Sequence, residues 1–181
     1  MNAIEAQQAL QEADLLHSEA EVSAALDRLA SQINNHFKEK DPIVFCVMKG
    51  AVIPTGMLVS RFDFPFRLDY LHATRYREAT QGSELHWEKD VDCDLTGQVV
   101  LVIDDILDEG YTLEAITRHC QSLGAAEVLS AVIAEKKHER GCDFRADFVG
   151  IEVIDRYVFG MGMDYKGYLR HLPAIYAVKG L

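Results

Sequence analysis

Apolar residues recur along this chain in two rhythms. Over residues 5–38, Val22, Leu26, Leu29 and Ile33 return every three or four positions with Glu, Gln and Arg between them, which predicts one helix with a single buried face. Asp41-Pro42 ends that pattern. The run Ile43-Val44-Phe45-Cys46-Val47-Met48 is continuously apolar and rich in β-branched residues, the mark of a strand covered on both faces. A turn at Lys49-Gly50-Ala51 leads back to helix over 52–62, and Arg67–His72 reads as a second strand. The strongest strand is Val99–Ile103, ending in Asp104-Asp105. A helix over 110–123 stops at Gly124, and further strands fall at Val128–Ala134, Phe148–Ile154 and Ile175–Val178. Buried strands alternating with helices predict an α/β fold with a mostly parallel central sheet flanked by helices.

Residues 73–97 break this rhythm. They are polar, include Gly82 and Gly97, and hold the single tryptophan, Trp87. A flexible loop leading into a hairpin is expected there, and a polar excursion of this length usually serves function.

Length and charge narrow the picture. A chain of 181 residues reads as one domain over 1–181 with an N-terminal helical region over 1–40. Eighteen Lys and Arg against 29 Asp and Glu give a net charge of −11, which argues against nucleic acid and anionic membrane as partners. The one basic cluster, Lys136-Lys137-His138 with Arg140, is interrupted by Glu139 and reads as a solvated strand end. Cys46, Cys93, Cys120 and Cys142 are scattered, with no metal-ligand spacing, as expected of free thiols in a reducing compartment. The first residues lack a basic stretch and an apolar stretch, and no apolar run reaches membrane-spanning length, so a cytoplasmic location is expected.

In open α/β sheets, ligands gather at the carboxyl ends of the strands. Those ends carry Lys49-Gly50, Asp104-Asp105 and Lys136. After Asp104-Asp105 come Asp108-Glu109-Gly110-Tyr111-Thr112 at the mouth of a helix. Backbone N–H groups of such a loop form an anion cradle, with Gly110 allowing close approach and Thr112 adding a hydroxyl. Two carboxylates beside it suit sugar hydroxyls or hydrated magnesium. A capped ordinary helix could also carry acidic residues at its start, but not the buried strand and the Asp pair together.

Met48-Lys49-Gly50, the Asp104–Thr112 loop, Lys136, and Asp155-Arg-Tyr-Val-Phe-Gly160 running to Met163-Asp164-Tyr165 and Arg170 occur in the order and spacing of one family. The chain resembles the type I phosphoribosyltransferases, and within them the hypoxanthine-guanine branch, over about residues 40–178. The resemblance implies that Asp104 and Asp105 hold the ribose hydroxyls, directly or through Mg2+, and that Asp108 is the acid/base at the purine imidazole nitrogen. It implies that the backbone of Glu109, Gly110, Tyr111 and Thr112 binds the 5′-phosphate, and that a cis peptide before Lys49 turns amides, with Gly50, toward pyrophosphate. Lys136 would donate to the 6-oxo group, Tyr157 stack on the base, the Val158 backbone read its edge, Asp164 bind a second magnesium and Arg170 the pyrophosphate. A small hood over 155–181, an active-site loop carrying Tyr76, and a homodimer or homotetramer are further implications, with phosphoribosyl pyrophosphate, a 6-oxopurine and IMP or GMP as ligands.

Three departures stand out. Asp104 replaces a frequent Glu, Glu109 adds a carboxylate beside the cradle, and Arg75-Tyr76-Arg77 replaces a frequent Ser-Tyr. A non-catalytic nucleotide-sensing regulator on the same fold is the competing reading, but it needs a basic face that this composition does not offer. A phospho-acceptor receiver is excluded, because too little chain follows Asp105 to complete its sheet.

Overall fold

The computed structural model describes residues 1–75 and 85–180. Asn2 opens α1 (Ala3–Glu12) with a capping box, accepting from Ile4 and Glu5 N–H while Glu5 accepts from the Asn2 N–H. β1 (Asp14–His17) follows, and then Ser18 and Glu21 form a second capping box that starts α2 (Glu19–Phe37). The single helix expected over 5–38 is therefore two helices with a strand between them. Ser18-Glu19-Ala20-Glu21 satisfies the open N–H groups of a new helix start, which frees residues 14–17 to pair elsewhere.

The remaining elements are β2 (Ile43–Val47), α3 (Val52–Val59), β3 (Arg67–Arg75), β4 (Leu85–Lys89), β5 (Val99–Leu107), α4 (Tyr111–Ser122), β6 (Glu127–Lys137), β7 (Phe148–Ile154), β8 (Val158–Phe159) and β9 (Ile175–Ala177). The main sheet runs β4-β3-β2-β5-β6-β7, parallel throughout except for β4. The excursion expected to begin at 73 begins later, because β3 continues to Arg75 and pairs Ala73 with Trp87 and Arg75 with Leu85. Trp87 packs its ring 4.7 Å from that of His119, giving the hairpin an apolar anchor.

Alternation along the central strand explains the two layers. Leu101 and Ile103 enter the core beneath α2 and α3, while Val100 and Val102 enter the one beneath α4, and all four are fully buried. Each such side chain contributes about 1.5–3 kcal/mol by leaving water. The same strand is thus pinned from both sides, and its polar end is placed without slack.

A second sheet, β1-β9-β8, is antiparallel and joins both ends of the described chain. Asp14 and Val158 both pair with Ala177, from opposite sides of β9. Arg156 ties the layer together, donating to Val178 O at 2.7 Å and meeting Asp14 at 2.8 Å. The hood expected over 155–181 thus also incorporates residues 14–17. Among the described residues, no helix is long and apolar enough to cross a membrane.

Candidate active site

Parallel strands bring their carboxyl ends to one edge. β2 delivers Lys49, behind a cis peptide between Met48 and Lys49; β5 delivers Asp104 and Asp105; β6 delivers Lys136. Lys49 is exposed. Gly50 is a close-approach glycine, since a Cβ there would run into the Asp105 carboxylate. Asp104 Oδ1 accepts from the Asp105 N–H at 2.9 Å, and Asp105 Oδ1 accepts from the Ile106 N–H at 2.8 Å, so both carboxylates are fixed by their own backbone. Burial pushes both carboxyls above the ordinary aspartate range. The neighbouring Asp105 charge adds to the rise at Asp104, while Arg170 restrains Asp105.

Beyond them the backbone turns through Gly110 at φ +89° into α4. A cavity of about 220 Å³ is lined by Asp104, Asp108, Glu109, Gly110, Tyr111 and Thr112, with open N–H groups at the helix start. Glu109 does not spoil this cradle. Its carboxylate accepts from the Gly141 N–H at 2.9 Å, and the Tyr111 hydroxyl donates to Gly141 O at 2.6 Å. Both side chains therefore engage the β6–β7 connection. The extra carboxylate flagged by the sequence is spent on a loop brace.

A second cavity, about 380 Å³, is lined by Asp105, Asp108, Lys136, Tyr157, Val158 and Asp164. Asp108 and Ile106 line both cavities, so they are the junction between them. Lys136 Nζ donates to Asp108 Oδ2 at 3.0 Å and lies 3.9 Å from Asp155. Tyr157 is exposed and meets Tyr165 edge-to-face at 5.3 Å, while Val158 is buried in β8. A larger cavity of about 530 Å³, between α1 and the 167–171 turn, touches these residues only at Arg170 and lacks their convergent charges.

The basic stretch 136–140, expected to be a solvated strand end, is solvated only at Lys137 and Glu139, while Lys136, His138 and Arg140 turn inward. The side chains of Lys136, His138 and Arg140 are 13%, 12% and 7% exposed. The partners that make this affordable were scattered in sequence: Asp108 takes Lys136 and His138, and Glu135 takes Arg140 at 2.7 Å. Arg140 Nε also donates to Asp108 O at 2.9 Å. Sequence reading missed His138, Arg140 and Glu135; the one available signal was an acidic residue preceding the basic run.

Asp105 and Asp164 line the same cavity, and Arg170 lies between them, 3.9 Å from Asp105 and 2.5 Å from Asp164. Arg170 also donates to Gly162 O at 2.6 Å. Two carboxylates on one cavity, next to half-buried Asp104, offer the oxygen ligands that a hydrated divalent ion takes. Of the residues singled out from sequence, Asp104, Asp105, Asp108, Glu109, Gly110, Tyr111, Thr112, Lys136, Tyr157, Val158 and Asp164 line the two cavities, and Gly50 and Arg170 adjoin Asp105. Tyr76 and Arg77 lie outside the described residues, as does most of the loop expected over 73–84.

An anion cradle following a parallel strand that ends in paired carboxylates, beneath a separate small sheet, is the plan of a phosphoribosyl transferase. The chain belongs to the phosphoribosyl transferase domain family, which it matches over residues 12–166. It is 34% identical to a hypoxanthine-guanine phosphoribosyltransferase of Aquifex aeolicus (strain VF5), over 91% of this chain and 94% of that one. Identity to the Bacillus subtilis (strain 168) protein of the same name is 31%, over 91% and 92%. A solved hypoxanthine-guanine phosphoribosyltransferase (hpt-2) from Bacillus anthracis, with a HEPES molecule in its active site, matches with a TM-score of 0.86 at 28% identity, covering 91% of this chain and 98% of that one.

Proposed function

We propose that this protein is a cytoplasmic purine-salvage enzyme. In this reading it transfers the 5-phosphoribosyl group of phosphoribosyl pyrophosphate to hypoxanthine or guanine, giving IMP or GMP and pyrophosphate, as a homodimer or homotetramer. The observation that carries the reading is the junction at Asp108. One molecule spanning an anion cradle and a cavity with a lysine, a tyrosine and open backbone must pass over that carboxylate.

The residues then divide the work. Backbone N–H groups of residues 109–112 take the 5′-phosphate, and Asp104 and Asp105 take the ribose hydroxyls. Tyr157 stacks on the base, the Val158 backbone reads its edge, and Lys136, a donor of three hydrogens and an acceptor of none, complements a 6-oxo group. The bond from the anomeric carbon to pyrophosphate oxygen breaks, a bond to a purine imidazole nitrogen forms, and Asp108 receives the proton that nitrogen gives up. Lys49 and Arg170 face the leaving group. Asp104, Asp105 and Asp164 are the residues that would hold magnesium, whose charge, when bound, neutralises pyrophosphate. This reconciles a chain of net charge −11 with a polyanionic substrate. The regulator reading gains no support from relatives named as transferases.

A coupled assay with hypoxanthine, guanine, xanthine and adenine, run with magnesium and again after exhaustive chelation, tests the proposal. Turnover of 6-oxopurines that disappears on chelation is expected. Full activity in chelator, or no turnover of any base, would overturn it.

A further inference from the structure

We propose that His138 is a positioning residue for Asp108: its Nε2 holds one carboxylate oxygen from behind, so that the other, shared with Lys136, is presented to the purine imidazole. The proposal rests on the reading of Asp108 as proton acceptor.

The geometry assigns each oxygen its own donor. His138 Nε2 lies 3.0 Å from Oδ1, and Lys136 Nζ lies 3.0 Å from Oδ2. Exposure separates support from supported, since the His138 side chain is 12% exposed and that of Asp108 is 46%. Asp108 lines both cavities, and His138 lines neither.

Freedom of the carboxylate is the physical issue. The terminal torsion of an aspartate is soft, so a carboxylate gripped by one oxygen still turns. Two donors on opposite oxygens remove that motion. Lys136 cannot supply both, and its ammonium is divided further once a 6-oxo group enters the cavity. His138 has no ligand to compete for it. It is the donor that stays in place through the reaction, which is what a proton acceptor needs to hold its angle to the attacked nitrogen's proton.

His138→Phe keeps the ring volume and removes the donor. We expect kcat to fall about 10- to 100-fold, the scale of a misplaced catalytic group. The KM for phosphoribosyl pyrophosphate should stay within about twofold, since the cradle is untouched. His138→Gln, which brings an amide N–H close to the former Nε2 position, should recover most of kcat. Placed on top of Asp108→Asn, His138→Phe should add little, because the two residues act as a unit. If the Phe variant does not fold, His138→Asn, too short to reach Oδ1, takes its place with the same expectation. A native kcat in the Phe variant, a Gln variant no better than Phe, or a full additional loss on top of Asp108→Asn overturns the proposal. If Asp108→Asn itself keeps native kcat, the reading of Asp108 fails first and this proposal falls with it. An impaired Asp108→Asn beside an unimpaired His138→Phe refutes the positioning role alone.

Discussion

The two cavities that meet at Asp108 are built in opposite ways. The cavity proposed for the phosphate comes from one unbroken segment, Asp104 to Leu113, in which strand, turn and helix follow each other directly. The cavity proposed for the purine is collected from β5, β6 and the small sheet, with Lys136, Tyr157 and Asp164 each arriving on a different stretch of chain, and with residues 14–17 supporting them from a distance. A segment that carries its own geometry can be disturbed locally and remain a cradle. A composite wall depends on every element that brings a piece of it.

The largest expected effect lies at the junction. Asp108→Asn should lower kcat by about 10²–10⁴-fold, the usual contribution of an acid–base group. Phosphoribosyl pyrophosphate affinity should change little, because the cradle is mainly backbone. Collapsed binding with kcat preserved would move Asp108 from the proton to the sugar and erase the contrast between the two ends.

Next comes the brace behind the junction. Burial alone would raise the Glu135 carboxyl, but the hydrogen bond and charge of Arg140, helped by Lys137, hold it below its ordinary 4.5. The folded state then binds this proton more weakly than the unfolded chain. The stabilisation is therefore complete above 4.5 and lost as pH falls through the lower folded value. Glu135→Gln should cost roughly 3 kcal/mol at neutral pH by leaving Arg140 without its buried partner. Denaturant unfolding of both proteins across pH should show the gap closing only at acid pH. A gap that is constant down to acid pH would mean the pair is not what holds Arg140 against Asp108 O.

Specificity at the composite end is a smaller effect. Lys136→Gln should lower kcat/KM for hypoxanthine about 10- to 100-fold, in line with roughly 1.5–3 kcal/mol for a charged hydrogen bond. Adenine should be a very poor substrate of the native protein and should gain on hypoxanthine in the variant, because the new amide oxygen accepts from its amino group. An unchanged ratio of the two bases would remove Lys136 from base recognition. The smallest effect is the most remote. Asp14→Ala severs the 2.8 Å contact with Arg156, a partly exposed pair. Such pairs are worth about 0.2–1 kcal/mol, so the purine KM should rise by no more than about fivefold. The KM for phosphoribosyl pyrophosphate should not move, and equal changes in both would show that the two ends are not separately built.

The same contrast decides what could be read in advance. Val99–Ile103 and the acidic loop after it were legible because the pattern that marks them is local: β-branched burial on two faces, then carboxylates, then a helix start. β1 was not, because Asp14-Leu15-Leu16-His17 is a strand only by virtue of its pairing with β9, and no nearby residue announces it. The Ser18–Glu21 capping box was visible and would have split the long helix. His138 looked like a solvated cation for the same reason: Asp108, whose carboxylate it meets, lies 30 positions earlier in the chain. Glu109 could not be placed without knowing that Gly141 stood opposite it.

The pairing of β1 with β9 also sets an order of events during synthesis. A ribosome delivers the chain from its amino end at roughly 5–20 residues per second. Asp14–His17 emerges long before Ile175–Ala177 and must wait for it before that edge is covered. The acidic loop and α4 emerge long before that, as do β6 and the 136–141 segment that braces the loop. A growing chain can thus assemble the turn proposed to hold the phosphate well ahead of the small sheet, and the β1 edge that meets β9 stays unsealed until Ile175–Ala177 has emerged.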